Sequence, residues 1–200
     1  MRPRNVAHLP RSLAGPGSSA WIGMLLFVAI EATAYGSLIT SYFYLQLGAE
    51  RWPPDGIAQP ALLLPTLSTA LLVASAVPVR WAELGIRRGD ERRLRIGLAL
   101  GLLLASGYPV IAGIEASQRS YSLAANAYAS IVWVASSYSL LHVVGLLGLG
   151  GYVIALAFRR DLHAEKHTAL GVVALYWYFA ALASIPLWAT LYLAPRALGA

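Results

Sequence analysis

The sequence predicts an all-α integral membrane protein, five transmembrane helices in one bundle. Three observations carry this. Of 200 residues, 58% are hydrophobic and 12% charged, against roughly 25% charged in ordinary soluble domains. The apolar residues gather into long runs, each near or above the roughly 20 residues that cross a hydrocarbon core. The basic residues fall on alternate connecting loops, as an odd number of crossings requires. A soluble chain of this size has too little polar surface to cover so much apolar side chain. The runs are continuous, without the alternation of barrel strands.

Taken in order, residues 1–20 are rich in Arg, Pro, Gly and Ser and read as a cytoplasmic tail. The first span is read over 21–47. It is too long for the apolar part of a cleaved signal, and it carries Glu31. The others are read over 61–84, 94–115, 125–158 and 168–193, with an outer tail at 196–200. The first and fourth exceed the minimum and are expected to tilt or project beyond the bilayer. Pro78, Pro109 and Pro186 are expected to bend their helices, Pro186 above all because it sits well inside the fifth.

Arg2, Arg4 and Arg11 lie in the tail. Arg87, Arg88, Arg92 and Arg93 lie between spans two and three, and Arg159, Arg160 and Lys166 between four and five. The opposite side has Arg51, Arg119 and Arg196. The positive-inside rule therefore puts the N-terminus in the cytoplasm and the C-terminus outside. It also accounts for the net charge of +6 without nucleic acid as a partner. Cysteine is absent, which excludes disulfides, thiolate copper sites and cysteine-held iron–sulfur clusters.

Small residues spaced by four mark faces for close helix packing. These are Ala32, Gly36 and Thr40 in the first span, and Gly97, Gly101 and Ala105 in the third. Gly145, Gly148, Gly150 and Gly151 crowd the fourth. Trp21, Trp52, Trp133 and Trp188 read as anchors at the membrane interface.

Glu31 needs explaining, because a carboxylate near mid-bilayer costs about 2.5–3.5 kcal/mol on insertion scales. It is expected to be protonated and hydrogen-bonded within the chain, with Tyr35 one turn away as a source of a hydroxyl. His142 is the one histidine inside a span and has no second span histidine to complete a haem site. Its expected role is hydrogen bonding. His163 and His167 in HAEKH have metal-binding spacing, but no further ligands stand near them in sequence. Glu115 and Arg119 are one turn apart and are expected to pair. No nucleophile, base and orienting group form a catalytic set.

The landmarks also form an ordered series: Glu31, then WPPDGI (52–57), PTLSTALLVAS (65–75), Glu115, YASIVWVASSYSLLHVVG (128–145) and YWYF (176–179). In this order and spacing the chain resembles subunit III of haem–copper terminal oxidases (cytochrome c or quinol oxidases), in a divergent version of the short five-helix bacterial form. The family positions matched are the buried acid Glu31, Trp52, Pro53, Pro54 and Gly56, Leu67 and Thr69, Glu115, His142, and Trp177 with Tyr176 and Phe179. Departures fall at Ser68 (Asn in the family), Ala112 (Gln), Ser139 (His), Tyr178 (His) and Ala181 (Asp).

The resemblance implies a non-catalytic accessory subunit of the bacterial inner membrane. Its helices would be split as two plus three around a lipid-filled cleft holding phospholipid. Haems and copper would lie in partner subunit I, which reduces oxygen to water and pumps protons. This chain would stabilise subunit I and support its proton uptake. Two other readings compete: a similar accessory subunit of a nitric oxide reductase, and a small proton-coupled transporter built on Glu31 and His142. Against the transporter, five spans do not divide into equal inverted halves, and no internal repeat is present.

Overall fold

A computed structural model describes residues 18–162 and 167–198. The proposed N-terminal tail, apart from its last residues, and His163 of the HAEKH stretch lie outside them. The chain forms α1 (Ser19–Leu47), α2 (Leu63–Arg87), α3 (Glu91–Ser117), α4 (Ala127–Phe158) and α5 (Thr168–Trp188). A π-helical turn, Ala189–Leu193, and a last short helix, α6 (Ala194–Leu198), complete it. Among the described residues there is no strand. Five helices are long and apolar enough to cross a membrane, and the chain is a multi-pass membrane protein.

Local chemistry sets the helix starts. Ser18, Asp90 and Asn126 each accept a bond from a backbone N–H three residues on, at 3.3, 3.0 and 2.9 Å. This satisfies amides that the first turn leaves without partners. Gly89 takes a positive φ of 72° between α2 and α3, a conformation that suits glycine. Helix five continues past Pro186 without a break. The irregularity falls one turn later, as the π-helical turn, where Thr190 Oγ1 donates to the Pro186 carbonyl at 2.8 Å. Where an outer tail was expected, α6 is tied back to the α1–α2 loop. Arg196 donates to the Pro60 carbonyl, and Gln59 donates to that of Pro195 at 3.3 Å.

The tightest contact is α2 on α3. A Cβ added at Gly97 would stand 2.5 Å from the Pro78 carbonyl oxygen and 2.9 Å from the Ala82 Cβ. One at Gly101 would stand 2.6 Å from a Val79 methyl. Ala105, on the same face, is fully buried. The small-residue face of α3 is therefore a helix contact. On α4 only Gly150 is used so closely: a Cβ there would meet the Trp177 ring at 2.8 Å and Leu102 at 2.9 Å. Trp177 lies among α2, α3 and α4, and its indole N–H donates to Ser75 Oγ at 2.8 Å.

Helix α1 attaches differently. Its inward seam is Trp21, Met24, Val28, Glu31, Tyr35, Leu38 and Tyr42, spaced by three or four residues. It lies on α4 and α5. Ala32, Gly36 and Thr40 all face outward, and nothing approaches Gly36 within 4 Å. The expected small-residue face of α1 thus makes no contact within this chain. Nor do the helices divide as the first two against the remaining three. The glycines of α3 draw α2 onto it, and Trp177 joins α2 to α5, so α2 belongs with the later helices.

Gly97→Val drives two methyl groups into a backbone carbonyl and is expected to destabilise the bundle by about 2–3 kcal/mol. Gly36→Val faces open space and is expected to be silent. Thermal melting of the two variants in detergent, read by size-exclusion recovery, checks the contrast; equal loss in both would contradict this packing.

Candidate functional site

Glu31 and His142 lie far apart in sequence and meet where α1 crosses α4. Glu31 Oε2 lies 2.8 Å from His142 Nε2 and accepts the Tyr138 hydroxyl. The Glu31 and His142 side chains are 14% and 7% exposed. His142 Nδ1 stands 2.8 Å from the backbone carbonyl of Tyr138. A carbonyl only accepts, so Nδ1 carries a hydrogen. One proton then lies between Nε2 and Oε2, and wherever it sits the pair has no net charge. That is how a carboxylate is tolerated at this depth.

Tyr35 is not the partner of Glu31. Its ring stands edge-on to Tyr138, His142 and Phe179, at 5.2, 5.6 and 5.9 Å. The hydroxyl comes instead from Tyr138, four residues before His142 and so on the same face of α4. That spacing was the available signal for it.

A second acid is Glu83, near the end of α2 and buried. Tyr178 of α5 donates to it, and Arg80 pairs with it at 3.1 Å. The sequence disguises Glu83, because Arg80 three residues earlier makes it look like half of a solvated pair. The third acid, Glu115, pairs with Arg119 at 2.8 Å, as expected from their spacing, and the pair is half-buried, with the Glu115 side chain 18% exposed. Arg119 also donates to Ser136 at 3.0 Å and lies 4.5 Å above the Trp133 ring. Beside them is a cavity of about 80 Å³ lined with hydroxyl and aromatic groups, including Thr69, Tyr108, Ser137 and Trp188. Such a space accepts a few waters.

Trp52 is no interface anchor. It is 6% exposed, edge-on to Tyr42 and Tyr128 at 5.4 and 5.0 Å, and wedges the α1–α2 loop against α4. Of the residues singled out by sequence, Glu31 and His142 come together, while Trp52, Glu115 and Trp177 occupy three other places. Among the described residues, no three of His, Asp or Glu converge as a metal site.

Comparison with known proteins bears on this arrangement. The family described as cytochrome c oxidase subunit III matches residues 18–195. The chain belongs to that family. Cytochrome c oxidase subunit 3 of Thermostichus vulcanus is 28% identical over 180 residues, covering 88% of this chain and 87% of that protein. The subunit 3 proteins of Coturnix japonica and Gallus gallus are 31% and 30% identical over 165 residues, covering 78% of this chain. The match spans only 62% of their length.

Of the departures expected from the resemblance to subunit III, Ser139 and Tyr178 make side-chain hydrogen bonds to another helix. Ser139, at the first histidine position, hydrogen-bonds Tyr108 at 2.8 Å. Tyr178, at the second, reaches Glu83. Ala112, at the glutamine position, lines the cavity, and Ala181, at the aspartate position, is buried.

Two measurements follow. Tyr138→Phe is expected to cost about 1 kcal/mol, the ordinary worth of one such bond. His142→Ala is expected to cost more, and the pair to be non-additive by at least about 0.5 kcal/mol because both act on one oxygen. A double-mutant melting cycle reads this, and strict additivity would count against a shared site. Arg119→Leu leaves the half-buried Glu115 without its cation and is expected to destabilise by about 1.5–3 kcal/mol, the worth of a charge-assisted bond. In the same melting assay, Glu115→Gln with Arg119→Leu is expected to recover part of that loss.

Proposed function

We propose that this chain is the haem-free accessory subunit III of a proton-pumping haem–copper terminal oxidase in an aerobic respiratory chain. It sits in the bacterial cytoplasmic membrane with its N-terminus on the cytoplasmic side and its C-terminus outside. There it stabilises subunit I, supports its proton uptake and binds phospholipid. The observation that carries the reading is the family match along residues 18–195.

The interior chemistry supports it. Both ring nitrogens of His142 are engaged, one by a carbonyl and one by Glu31. This leaves no imidazole lone pair for a haem or copper. Among the described residues the donors around His142 do not fit such a group, and this reading assigns haems and copper to subunit I. The arginines at the ends of α2, α3 and α4 support the orientation.

In this reading Glu31 holds α1 to α4 and is no through-route for pumped protons. Its proton is already shared with His142, and the hydrogen bonds of both groups end within the chain. Both bonds fall on one oxygen, Oε2, so a glutamine keeps one of them: its oxygen accepts from Tyr138, or its amide N–H donates to His142 Nε2. The Glu31→Gln complex is therefore expected to assemble and keep most oxygen consumption and pumping. Failure to assemble, or loss of pumping with turnover intact, would contradict this role.

The reading itself is tested by purification through a tag on this chain in a mild detergent, with a reduced-minus-oxidised spectrum. A haem spectrum with a large haem–copper oxidase subunit is expected. A co-purifying nitric oxide reductase would move the chain to that enzyme. A colourless preparation with substrate flux in vesicles would make it a transporter.

A further inference from the structure

A groove of about 510 Å³ lies between the first turns of α3 and the last turn of α4, lined by Glu91, Arg92, Arg95, Ile96, Ala99 and Phe158. Its lower part is apolar: Ile96, Ala99 and Phe158 are all exposed. Its rim is basic, and the charges do not cancel. Arg95 is already committed. Its Nε donates to the Ala157 carbonyl at 3.2 Å, its Nη2 binds Glu91 at 2.5 Å, and its guanidinium lies 5.8 Å above the Phe158 ring.

That leaves Arg92 and Arg160. Arg92 is exposed and pairs with no acid among the described residues. Arg160 is 75% exposed and reaches Glu91 only at 3.9 Å, the same carboxylate that Arg95 occupies. Asp161 forms no ion pair with any of these arginines. Arg160 also has a φ of 59°, at a helix end where glycine is the usual residue. Arg160 is not itself part of the groove wall, and it reaches the rim through Glu91, which is.

We propose that this groove binds one anionic phospholipid, its phosphodiester held by Arg92 and Arg160 and an acyl chain laid along Ile96, Ala99 and Phe158. Charge complementarity selects this occupant. Surplus cations stand directly at the end of apolar spans, the depth of lipid phosphates, and basic pockets between helix ends attract such headgroups. A soluble anion would use the rim and leave the apolar floor bare. A zwitterionic lipid would bring no net charge to the surplus arginines. The inference rests on the membrane architecture and deepens the lipid part of the proposed function. Because lipid retention is read directly, its failure leaves the oxidase reading standing.

The test uses the purified complex, delipidated and titrated with phosphatidylglycerol or with phosphatidylcholine of the same acyl chains, with bound lipid counted by native mass spectrometry. One phosphatidylglycerol per chain is expected, held in preference to phosphatidylcholine. Arg92→Gln with Arg160→Gln is expected to weaken it about 20- to 30-fold, the loss of two surface arginines near a headgroup. Arg87→Gln with Arg88→Gln, the same change of charge at the end of α2, is expected to leave it unchanged. Equal retention of the two lipids, equal weakening by the control pair, or displacement by inorganic phosphate would overturn the proposal. A photo-reactive phenylalanine analogue at position 96 keeps the test open should the double variant fail to fold. A lipid adduct in the intact complex is expected, and a protein adduct would make the groove a subunit interface instead.

Discussion

Lipid does not push apolar helices together, because an exposed leucine is as comfortable against an acyl chain as against another helix. Cohesion must come from close backbone approach and from polar groups that find partners only inside the bundle. Both devices are present, and they do different jobs. Gly97 and Gly101 let α2 and α3 touch along their backbones, and Trp177 fastens α5 to α2 through Ser75. Helix α1 has no close glycine contact to the rest. Its purchase is Glu31 on His142 and Tyr138, with the aromatic knobs Tyr35 and Tyr42 beside it.

Three acids in the described interior are balanced within the chain, each by a different means. Glu31 shares a proton with an imidazole, Glu83 takes a partly exposed arginine and a tyrosine, and Glu115 takes a buried arginine. None is left over to act on a substrate, and the chain offers its neighbours a surface that is mostly apolar.

Two of the departures from the subunit III pattern are hydrogen-bonded between helices. Tyr178 stands where a histidine is usual, yet its hydroxyl crosses to Glu83 on a different helix. Ser139, in place of another histidine, is met by Tyr108. The alanines at 112 and 181 have no polar side-chain atom, so they leave no unpaired group to be satisfied.

Much was legible from sequence because each helix is settled by local properties. Span length, apolar composition, capping residues and the arginine asymmetry depend only on residues close together in the chain. So the five helices, the Glu115–Arg119 pair and the packing face of α3 could be read directly. The partners of Glu31 could be read only in part: Tyr35 was the near neighbour, but Tyr138, on α4, holds the bond. The outward turn of Ala32 and Gly36, the burial of Trp52 and Glu83, and the grouping of α2 with α3 and α5 could not be read. A periodic seam says that a helix has a face, and small residues say that a face could pack. Which face meets which helix is settled by interlocking shape and by polar pairs far apart in sequence, and those exist only once the chain has folded.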